Sequence, residues 1–409
     1  MSTPTQPATA LWTATPPTAW PAPPTDLTFS ALKEIEACPR RWALSAASYP
    51  TIWAGYGYPQ RLQLKALAGT VVHAALETIT KELVSAGCPS IQDAAAVGVL
   101  QRLGGISVVI HGAIDDLLAR TAGNPRAACL MDYYTRTLRA QAPELRSRVQ
   151  NMLARRILAS KPRSAKAGGG RHERTALREG LYCEIDFRVA QLGWKGRADL
   201  LVLASDVCEI IDFKTGEPSE EHVLQLQTYA LLWNRDESLN PTGRLATRLV
   251  LAHLHADVEV PVPTTAELAE LEAQLSTRGA VARAAITVHP PEARPSAQKC
   301  RYCGVRQLCE TYWRPEIREF IASQAGEMEQ RFVDVEVSVQ SRHGLKSWDI
   351  MIHSGAERVM GLLRTAGNVE LVPGQQLRIL GAARAVEDID SNIQCLTIGV
   401  LSEMYVVTV

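Results

Sequence analysis

The stretch Glu209-Ile-Ile-Asp-Phe-Lys-Thr-Gly216 decides how the rest of the chain is organised. Its apolar residues predict a buried β-strand, in which side chains two residues apart point to the same face. Asp212 and Lys214 therefore share a face, at positions where a buried strand normally carries Val, Ile or Leu. Two charges there incur a desolvation penalty unless they pair with each other or hold a metal ion. The alternative to a functional site is a plain Asp–Lys salt bridge on an edge strand.

The composition is that of a soluble globular protein. Its 409 residues are enough for two or three domains, and Lys+Arg and Asp+Glu balance at 43 each. Net charge therefore says nothing about a polyanionic partner. No apolar run approaches the roughly 20 residues of a membrane span, and the N-terminus lacks the layout of a secretory signal. Nine cysteines in such a chain predict a reducing, cytoplasmic compartment, where clustered cysteines are candidate metal ligands.

The first ordered elements are predicted to be helices. Residues 1–25 are rich in Pro, Thr and Ala, and predict a disordered tail or an adhesive arm. Ser30 is predicted to cap a short helix, which Pro39 stops or kinks. Apolar residues at helical spacing predict a second helix, which begins near Gly69 and carries His73 beside its buried stripe. For a lone histidine, a satisfied core residue is the alternative to a ligand.

A helical insertion is predicted over about residues 90–165. Between residues 131 and 172 there are ten Lys or Arg against two acids. This local excess, from Arg136 to Arg171, suits a phosphate backbone. A solvated helix face explains it equally well.

A β region follows the insertion. Residues 181–189 alternate between apolar and polar, the pattern of a strand with one solvated face. Residues 198–203 and 207–214 flank a short turn and should pair as antiparallel neighbours. Each of these two strands contains an acid that a plain core strand would lack, Asp199 and Asp212. Further predicted elements are a helix over His222–Arg235, a strand over Leu249–Leu254 and a helix capped by Thr264 and Glu267.

The pattern changes to short alternating strands from Arg331 onward. Five such strands, with one helical interruption over about Ser354–Ala366, predict a small β-barrel of the OB type. A plain β-sandwich is the alternative. Residues 331–409 hold seven Lys or Arg against nine acids, which argues against a strong DNA-binding surface. A protein-docking or structural role fits at least as well.

The two strand acids suit a hard divalent cation such as Mg²⁺ or Mn²⁺, which takes oxygen ligands and keeps several waters. Lys214 is a point charge that can orient an attacking water or stabilise charge that develops on a phosphate. An isolated Asp-x-Lys is common, so this interpretation needs support from other residues.

That support comes from four short motifs and their order. They are Gly69-x-x-x-His73, Gly196-Arg-x-Asp199, Asp212-Phe-Lys214-Thr-Gly216 and Gln225-x-x-x-Tyr229. In this order the chain resembles the PD-(D/E)XK nucleases of the RecB and AddB branch, including the RecB-like CRISPR-associated exonucleases. The resemblance spans roughly residues 27–315. It implies an α/β fold with a restriction-endonuclease-like core, in which helices flank a mixed central sheet.

The resemblance also implies roles for individual residues. It implies that the divalent cation is held by His73, Asp199, Asp212 and the backbone carbonyl of Phe213. Lys214 becomes the catalytic lysine, and Gln225 and Tyr229 border the active site and contact DNA. Glu173 loosely matches an additional upstream acid of the family.

The densest cysteine cluster is Cys300-x-x-Cys303-x5-Cys309. A site with four ligands needs one more thiol, for which Cys38 is the candidate. The AddB and CRISPR-associated relatives have the same layout, with one cysteine before the nuclease core and three after it. In those relatives the cysteines bind a 4Fe–4S cluster. Zn²⁺ is the rival occupant, because the spacing alone does not decide between the two.

These observations predict a Mg²⁺- or Mn²⁺-dependent DNA nuclease with an iron–sulfur cluster. Its relatives imply an exonuclease that acts on DNA ends or single strands in repair, recombination or defence. No G-x-x-x-x-G-K-[ST] motif occurs, so unwinding would need a partner helicase. The alternative is a catalytically inactive DNA-binding scaffold that keeps the cluster, iron–sulfur or zinc, and works with a helicase. The predicted divisions are a tail over 1–25, a nuclease domain over 26–320 and an OB-like barrel over 330–409.

Overall fold

The computed structural model describes residues 11–156, 174–326, 331–354, 357–365, 367, 369–384 and 394–407. Its helices within these residues are α1 (Phe29–Ala37), α2 (Pro39–Ala46), α3 (Leu64–Ser85), α4 (Ala94–Arg102), α5 (Ile106–Thr121), α6 (Pro125–Ala128), α7 (Met131–Ala154), α8 (Glu220–Arg235), α9 (Thr265–Thr287), α10 (Ala297–Arg301) and α11 (Pro315–Ser323). A 3₁₀ helix covers Arg306–Leu308.

The strands form two separate sheets. They are β1 (Leu11–Ala14), β2 (Gly180–Val189), β3 (Trp194–Leu203), β4 (Cys208–Lys214), β5 (Arg248–His253), β6 (Asp257–Val260), β7 (Phe332–Gly344), β8 (Ser347–Ser354), β9 (Glu357–Arg364), β10 (Gln376–Arg384), β11 (Gln394–Thr397) and β12 (Glu403–Val407). Strands β2 to β6 make the central sheet, and β1 with β7 to β12 makes the C-terminal sheet.

The central sheet is mixed, with the strand order β2-β3-β4-β5-β6. Strands β4 and β5 are parallel, and the other neighbours are antiparallel. The predicted pairing of residues 198–203 with 207–214 is confirmed, because β3 and β4 pair from Leu200–Ile211 to Leu203–Cys208. Helix α8 links β4 to β5 as the crossover that parallel strands require.

Helices cover both faces of the central sheet. One face packs against the helices of the insertion in a first core, which includes Val72, Leu138, Leu200 and Phe213. The opposite face packs against α1, α8 and α9 in a second core, which includes Trp194 and Trp233. This arrangement of helices on both faces of a mixed sheet agrees with the predicted α/β class.

Strand β2 changes faces at Glu184. Cys183 packs against the first core, whereas Ile185 and Phe187 lie in the second. Residues two apart normally share a face, so the pleat is interrupted between them. Glu184 has a φ of 52°, and among the described residues it alone combines a positive φ with a side chain. Its pairing with β3 is also skipped. The predicted single solvated face is therefore confirmed over residues 185–189 and wrong over residues 181–184.

The N-terminal elements differ from prediction in two places. Thr28, and not Ser30, caps α1, because its hydroxyl accepts a 3.1 Å hydrogen bond from the Ala31 N–H. Residues 11–14 of the predicted disordered tail form β1, which pairs in parallel with β12. Strand β1 thus fits the alternative prediction of an adhesive arm. Residues 1–10 lie outside the described part of the chain. Pro39 ends α1 as predicted and becomes the first residue of α2.

The helical insertion is present over the described residues 94–154 as α4 to α7. The predicted stretch beyond residue 156 lies outside them. Helix α3 begins at Leu64, before the predicted start near Gly69. Over the described residues, none of the helices is by itself long and apolar enough to cross a membrane. Helices α4 and α5, bent by 41°, pass that length and composition test only as a pair.

The C-terminal sheet is a circuit of paired strands. Strand β7 pairs with β8, β8 with β9, β9 with β11, β11 with β10, and β10 returns to β7. The predicted helix over about Ser354–Ala366 is wrong, because Glu357–Arg364 forms β9 in antiparallel register with β8. Gly361 and Leu363, two apart, are both buried, which is the period of a strand. Pairing with β8 thus decided the conformation of this segment.

Candidate functional site

The Asp212–Lys214 pair lies at the end of β4, as part of a connected set of polar side chains. Asp212 is only 4% exposed, and its carboxylate forms an ion pair with the Lys214 ammonium. Lys214 Nζ also donates to Gln225 Oε1 on α8 at 2.8 Å. Gln225 Nε2 in turn donates to the Tyr229 hydroxyl at 2.7 Å. The structure therefore joins four of the predicted site residues through direct contacts.

Asp199 approaches the same place from β3. Its Oδ2 accepts a 2.5 Å hydrogen bond from the backbone N–H of Phe213. Its Oδ1 lies 3.5 Å from Nδ1 of His73, which projects from α3. The predicted ligand residues on α3, β3 and β4 are thus neighbours, although they are far apart in sequence.

The motif glycines allow elements to approach closely. A Cβ on Gly69 would lie 2.9 Å from the Thr215 hydroxyl, so α3 can approach the end of β4 only without a side chain there. A Cβ on Gly196 would lie 2.9 Å from both the Tyr229 ring and Leu232. The two motif glycines therefore lie at close contacts beside the site.

Glu184 is a site residue that the sequence reasoning missed. One ligand atom from each of His73, Glu184 and Asp199 lies within 4.8 Å of the others. The alternating pattern predicted a solvated position for Glu184, but its left-handed backbone turns it toward Asp199 on the neighbouring strand. Its place across from Asp199 was the one available sequence signal. Glu173, the predicted upstream acid, lies outside the described residues.

The acids of the site repel one another. Burial raises the pKa of Asp212 and the charge of Asp199 adds to the rise, while Lys214 opposes it. Burial, with the charge of Asp199, raises the pKa of Glu184 to about 7. Burial lowers the pKa of His73, but the hydrogen bond and charge of Asp199 outweigh this and leave it raised. An excess of buried negative charge is what a bound cation relieves.

The residues present fit a hard divalent cation. The carboxylates of Glu184 and Asp199, on the paired strands β2 and β3, and the imidazole of His73 on α3 offer three ligand atoms close together. The remaining predicted side-chain ligand, Asp212, is buried and interacts with the charges of Asp199 and His73, while its Oδ2 contacts the Lys214 ammonium.

The four predicted cysteine ligands line one cavity. Cys38 comes from the junction of α1 and α2, and the other three from the segment around α10 and the 3₁₀ helix. The thiols that line it are Cys38, Cys300, Cys303 and Cys309. The cavity joins two parts of the chain about 260 residues apart, and so would clip the first helices to the end of the central-sheet unit.

The surroundings of these thiols suit thiolates. Cys38 Sγ accepts from the backbone N–H groups of Arg41 at 3.4 Å and Arg294 at 3.5 Å. Cys300 Sγ accepts from the Ser296 N–H at 3.3 Å. Cationic side chains also line the cavity: Arg40, Arg41, Arg294, Lys299 and Arg306. N–H donors and cations both stabilise the negative sulfur that binds metal.

Three of these thiols resist deprotonation in the absence of metal. Burial raises the pKa of Cys303 to about 11 and also raises those of Cys300 and Cys309. A metal or cluster deprotonates its cysteine ligands outright, so the site fits a group that carries positive charge. All nine cysteines are described, and each is free of a disulfide.

The basic excess of the insertion is partly neutralised within the described residues. Arg139 pairs with Asp115 at 2.9 Å, and Arg148 pairs with Glu144 at 2.5 Å. Arg155 and Arg156 both contact Asp257 near the start of β6. These pairs favour the solvated helix face over a phosphate-binding face for that part of α7.

The comparisons with solved structures and with curated proteins identify no family. Solved structures match only in part: the crystal structure of the p204 HINb domain (19% identity, 23% of this chain, 51% of that chain, TM-score 0.16), a murine DNA-binding protein bound with double-stranded DNA (15%, 19%, 40%, 0.16) and the crystal structure of SSO0001 (22%, 32%, 60%, 0.21). The chain thus spans about half the length of these structures, and at such TM-scores they carry no argument. No curated protein matches the chain.

The family comparison is of a different kind, because it covers most of the chain. The model of the PD-(D/E)XK nuclease superfamily matches residues 26–310, which include the central sheet, its helices and all four cysteines of the cavity. Nucleases of this superfamily are hydrolases that bind DNA and generally use divalent metals. The chain therefore belongs to the PD-(D/E)XK nuclease superfamily.

Proposed function

We propose that the protein is a Mg²⁺- or Mn²⁺-dependent deoxyribonuclease that hydrolyses phosphodiester bonds. Its action would be that of an exonuclease on DNA ends or single strands, in repair, recombination or defence. The observation that carries the proposal is the contact set at the end of β4, where buried Asp212 meets Lys214 and Lys214 meets Gln225 at 2.8 Å. A scaffold that does not cut has no need for buried charges held this way.

The proposed metal ligands are grouped around Asp199. Ligand atoms of His73, Glu184 and Asp199 lie within 4.8 Å of one another, and Glu184 is an addition to the prediction from sequence. The resemblance adds Asp212 and the backbone carbonyl of Phe213 to this set. Asp199 and Asp212 stand on neighbouring strands, and His73 lies 3.5 Å from Asp199. Carboxylate and carbonyl oxygens with one imidazole suit Mg²⁺ and especially Mn²⁺.

Each side chain would then have a separate task. A bound divalent cation would supply Lewis-acid polarisation of the phosphate and lower the pKa of the attacking water. The Lys214 ammonium would stabilise the negative charge that develops on the phosphate oxygens. Gln225 accepts from Lys214 and donates to Tyr229, so these two residues would hold the ammonium in place. Pre-organised charge of this kind costs no rearrangement during the reaction.

We propose further that the four cysteines bind a 4Fe–4S cluster. Support comes from the resemblance of the cysteine layout to that of the AddB and CRISPR-associated nucleases, whose cysteines bind such a cluster. A single tetrahedral Zn²⁺ is the rival occupant, because four thiols suit it as well. Iron analysis of anaerobically purified protein tests this choice. Zinc in place of iron and acid-labile sulfide would contradict it.

The C-terminal sheet is proposed to be an OB-like barrel over residues 330–409, next to a nuclease domain over 26–320. Support comes from the strand circuit that returns from β10 to β7 and encloses its own core, with Val337, Ile350 and Leu377 fully buried. The charge balance of this region favours a docking or structural role. A partner helicase would supply unwinding where the substrate is duplex.

Cleavage of labelled DNA tests the proposed activity. We would incubate 5′- and 3′-end-labelled single strands, duplexes and a circular single strand with Mn²⁺ or Mg²⁺. Loss of label from linear strands, with the circle intact, is the expected result for an exonuclease. Cleavage of the circle would indicate an endonuclease instead. Absence of cleavage on every substrate, with metal bound, would favour the inactive DNA-binding scaffold.

A further inference from the structure

Residues 300–313, here called the cysteine segment, have little regular structure of their own. The segment holds the end of α10, the 3₁₀ helix Arg306–Leu308 and single turns, such as the one closed by the Tyr312 N–H on the Cys309 carbonyl at 2.9 Å. Runs this short are not stable alone, because few hydrogen bonds offset the entropy lost when the chain is fixed. The shape of the segment therefore depends on what it binds on either side.

On one side, the segment presents three cysteines to the cavity that Cys38 completes. On the other side it supports the C-terminal sheet. Apolar side chains of the segment, Val305, Leu308 and Trp313, share a core with Tyr405 of that sheet. The same turns thus have a metal-binding side and a sheet-binding side.

Asp334 on β7 is the first polar link between the two. Its Oδ2 accepts from Arg306 Nε at 2.5 Å and from the Tyr312 hydroxyl at 2.6 Å. Its Oδ1 accepts from the Gly381 N–H of β10 at 2.8 Å. Arg306 Nη1 also donates to the carbonyl of Cys303 at 3.1 Å, so one guanidinium spans the distance from a candidate ligand to the sheet.

Arg378 on β10 is the second link, and it is only 4% exposed. Its guanidinium donates to the Gln307 carbonyl at 2.8 Å and to the Glu310 carboxylate at 3.0 and 3.1 Å. It also donates to Glu336 on β7 at 2.8 Å. Glu310 directly follows the last cysteine of the cavity, so a movement of that cysteine would pull the pair apart.

Arg126 on α6 is the third link, with 2% exposure. It binds the Glu403 carboxylate of β12 through two hydrogen bonds of 2.9 and 2.8 Å. It also donates to the Gly304 carbonyl at 2.7 Å, one residue after a candidate ligand. Buried charges of this kind stay favourable only while every partner keeps its position.

From these links we propose that a group bound by the four cysteines holds the cysteine segment in the conformation against which the C-terminal sheet packs. Loss of the bound group then releases the sheet. The inference rests on the proposed cysteine-bound group but not on nuclease activity. Without that group the turns of the cysteine segment lose one of their two supports. Arg306, Arg378 and Arg126 then lose the geometry that offsets their burial. Linkage is reciprocal, so weaker contacts between the cysteine segment and the C-terminal sheet must also weaken binding of the group.

Hydrogen–deuterium exchange of anaerobically purified protein tests the proposal, with small-angle scattering and metal analysis on the same samples. The variant is Cys303→Ser, and the matched control is Cys395→Ser, which removes a thiol of the same sheet outside the cavity. We expect amides of β7 and β10 around Asp334 and Gly381 to exchange on the order of tenfold faster in Cys303→Ser. We also expect a larger radius of gyration. Peptides of β3 and β4 should exchange at the wild-type rate in Cys303→Ser. The control Cys395→Ser should match wild type in exchange and in radius of gyration.

A second arm covers the case in which Cys303→Ser does not fold. Wild-type protein is stripped by a chelator, and protection of β3 and β4 reports whether the central sheet is intact. In the converse arm, Asp334→Asn with all four cysteines present should lose its metal at equilibrium at a chelator concentration on the order of tenfold lower than wild type. Unchanged exchange in metal-free protein, whose central sheet is intact, would overturn the linkage alone. If wild-type protein as purified contained no metal, the linkage and the cysteine site would be overturned together. Neither result bears on DNA cleavage.

Discussion

The Asp199 carboxylate accepts a 2.5 Å hydrogen bond from the backbone N–H of Phe213 on the neighbouring strand. The regular ladder between β3 and β4 ends one step earlier, at the pair Leu200–Ile211. Asp199 thus takes the place of a backbone acceptor just where the strands separate, and its other oxygen remains for His73. Two roles therefore meet in this side chain, pairing of the sheet and binding of a metal.

Two substitutions of Asp199 should separate these roles. Asparagine retains an oxygen that can accept from Phe213, whereas alanine leaves that N–H unpaired at a cost of about 1–3 kcal/mol. We therefore expect chemical denaturation in a chelator to show near wild-type stability for Asp199→Asn and a clear loss for Asp199→Ala. Calorimetric titration with Mn²⁺ should show weakened binding in both. Equal stability of the two variants would contradict the structural role.

The pKa of Glu184 predicts a pH effect on the metal-free protein. Its folded-state pKa is raised from 4.5 to about 7, so its contribution to stability is complete below about pH 4.5 and is lost as the pH rises through 7. The Glu184 side chain is 25% exposed, and solvent screening limits the effect. Between pH 5 and 8 we expect the Tm of wild type to fall about 2 °C more than that of Glu184→Gln. Parallel Tm profiles of the two proteins would contradict the electrostatic repulsion of the Glu184 carboxylate described above.

Gly196 should not tolerate a side chain. A Cβ there would lie 2.9 Å from the Tyr229 ring and from Leu232, so the substitution must displace these side chains of the helix that holds Gln225. We expect Gly196→Ala to lower the free energy of unfolding by about 1–3 kcal/mol, by overpacking, and to reduce cleavage. The control is Gly112→Ala on α5, which meets nothing within 4 Å and should be neutral or stabilising by up to about 1 kcal/mol. Similar results for both glycines would refute the close approach.

Arg126 should be far more important for stability than a surface arginine. Replacement by Met leaves the Glu403 carboxylate buried without its partner, which typically costs about 3–5 kcal/mol. Arg139→Met removes an exposed pair with Asp115 and should cost less than about 1 kcal/mol. Urea denaturation of the two variants measures the difference. If Arg126→Met were as mild as the control, Arg126 would not link the insertion to the C-terminal sheet.

The sequence predicted local features well where chemistry and spacing agree. The hairpin of β3 and β4 follows from two apolar runs and a short turn, and Thr264 caps α9 with Glu267 in the predicted reciprocal geometry. The order of the four motifs was enough to bring Lys214 and Gln225 together. These features are specified by residues a few positions apart, or by motifs of one shared fold.

Features that depend on distant pairing were missed. Glu184 joins the site through a left-handed backbone, which neither alternation nor composition reveals. The segment Glu357–Arg364 becomes a strand only because β8 and β11 pair with its two sides. Strand β1 similarly needs β12, almost four hundred residues away, as its partner. In each case the tertiary partner overrides a weak local preference.

The rate of DNA cleavage by Lys214→Ala at saturating Mn²⁺ tests the central claim most directly. The alanine variant retains the proposed metal ligands, and Lys65→Ala on α3 serves as the control outside the site. The account predicts that Lys214→Ala binds Mn²⁺ at least as tightly as wild type but cleaves a labelled single strand about 100-fold more slowly or worse. The control should cleave at the wild-type rate. Wild-type cleavage by Lys214→Ala would show that the reaction occurs elsewhere.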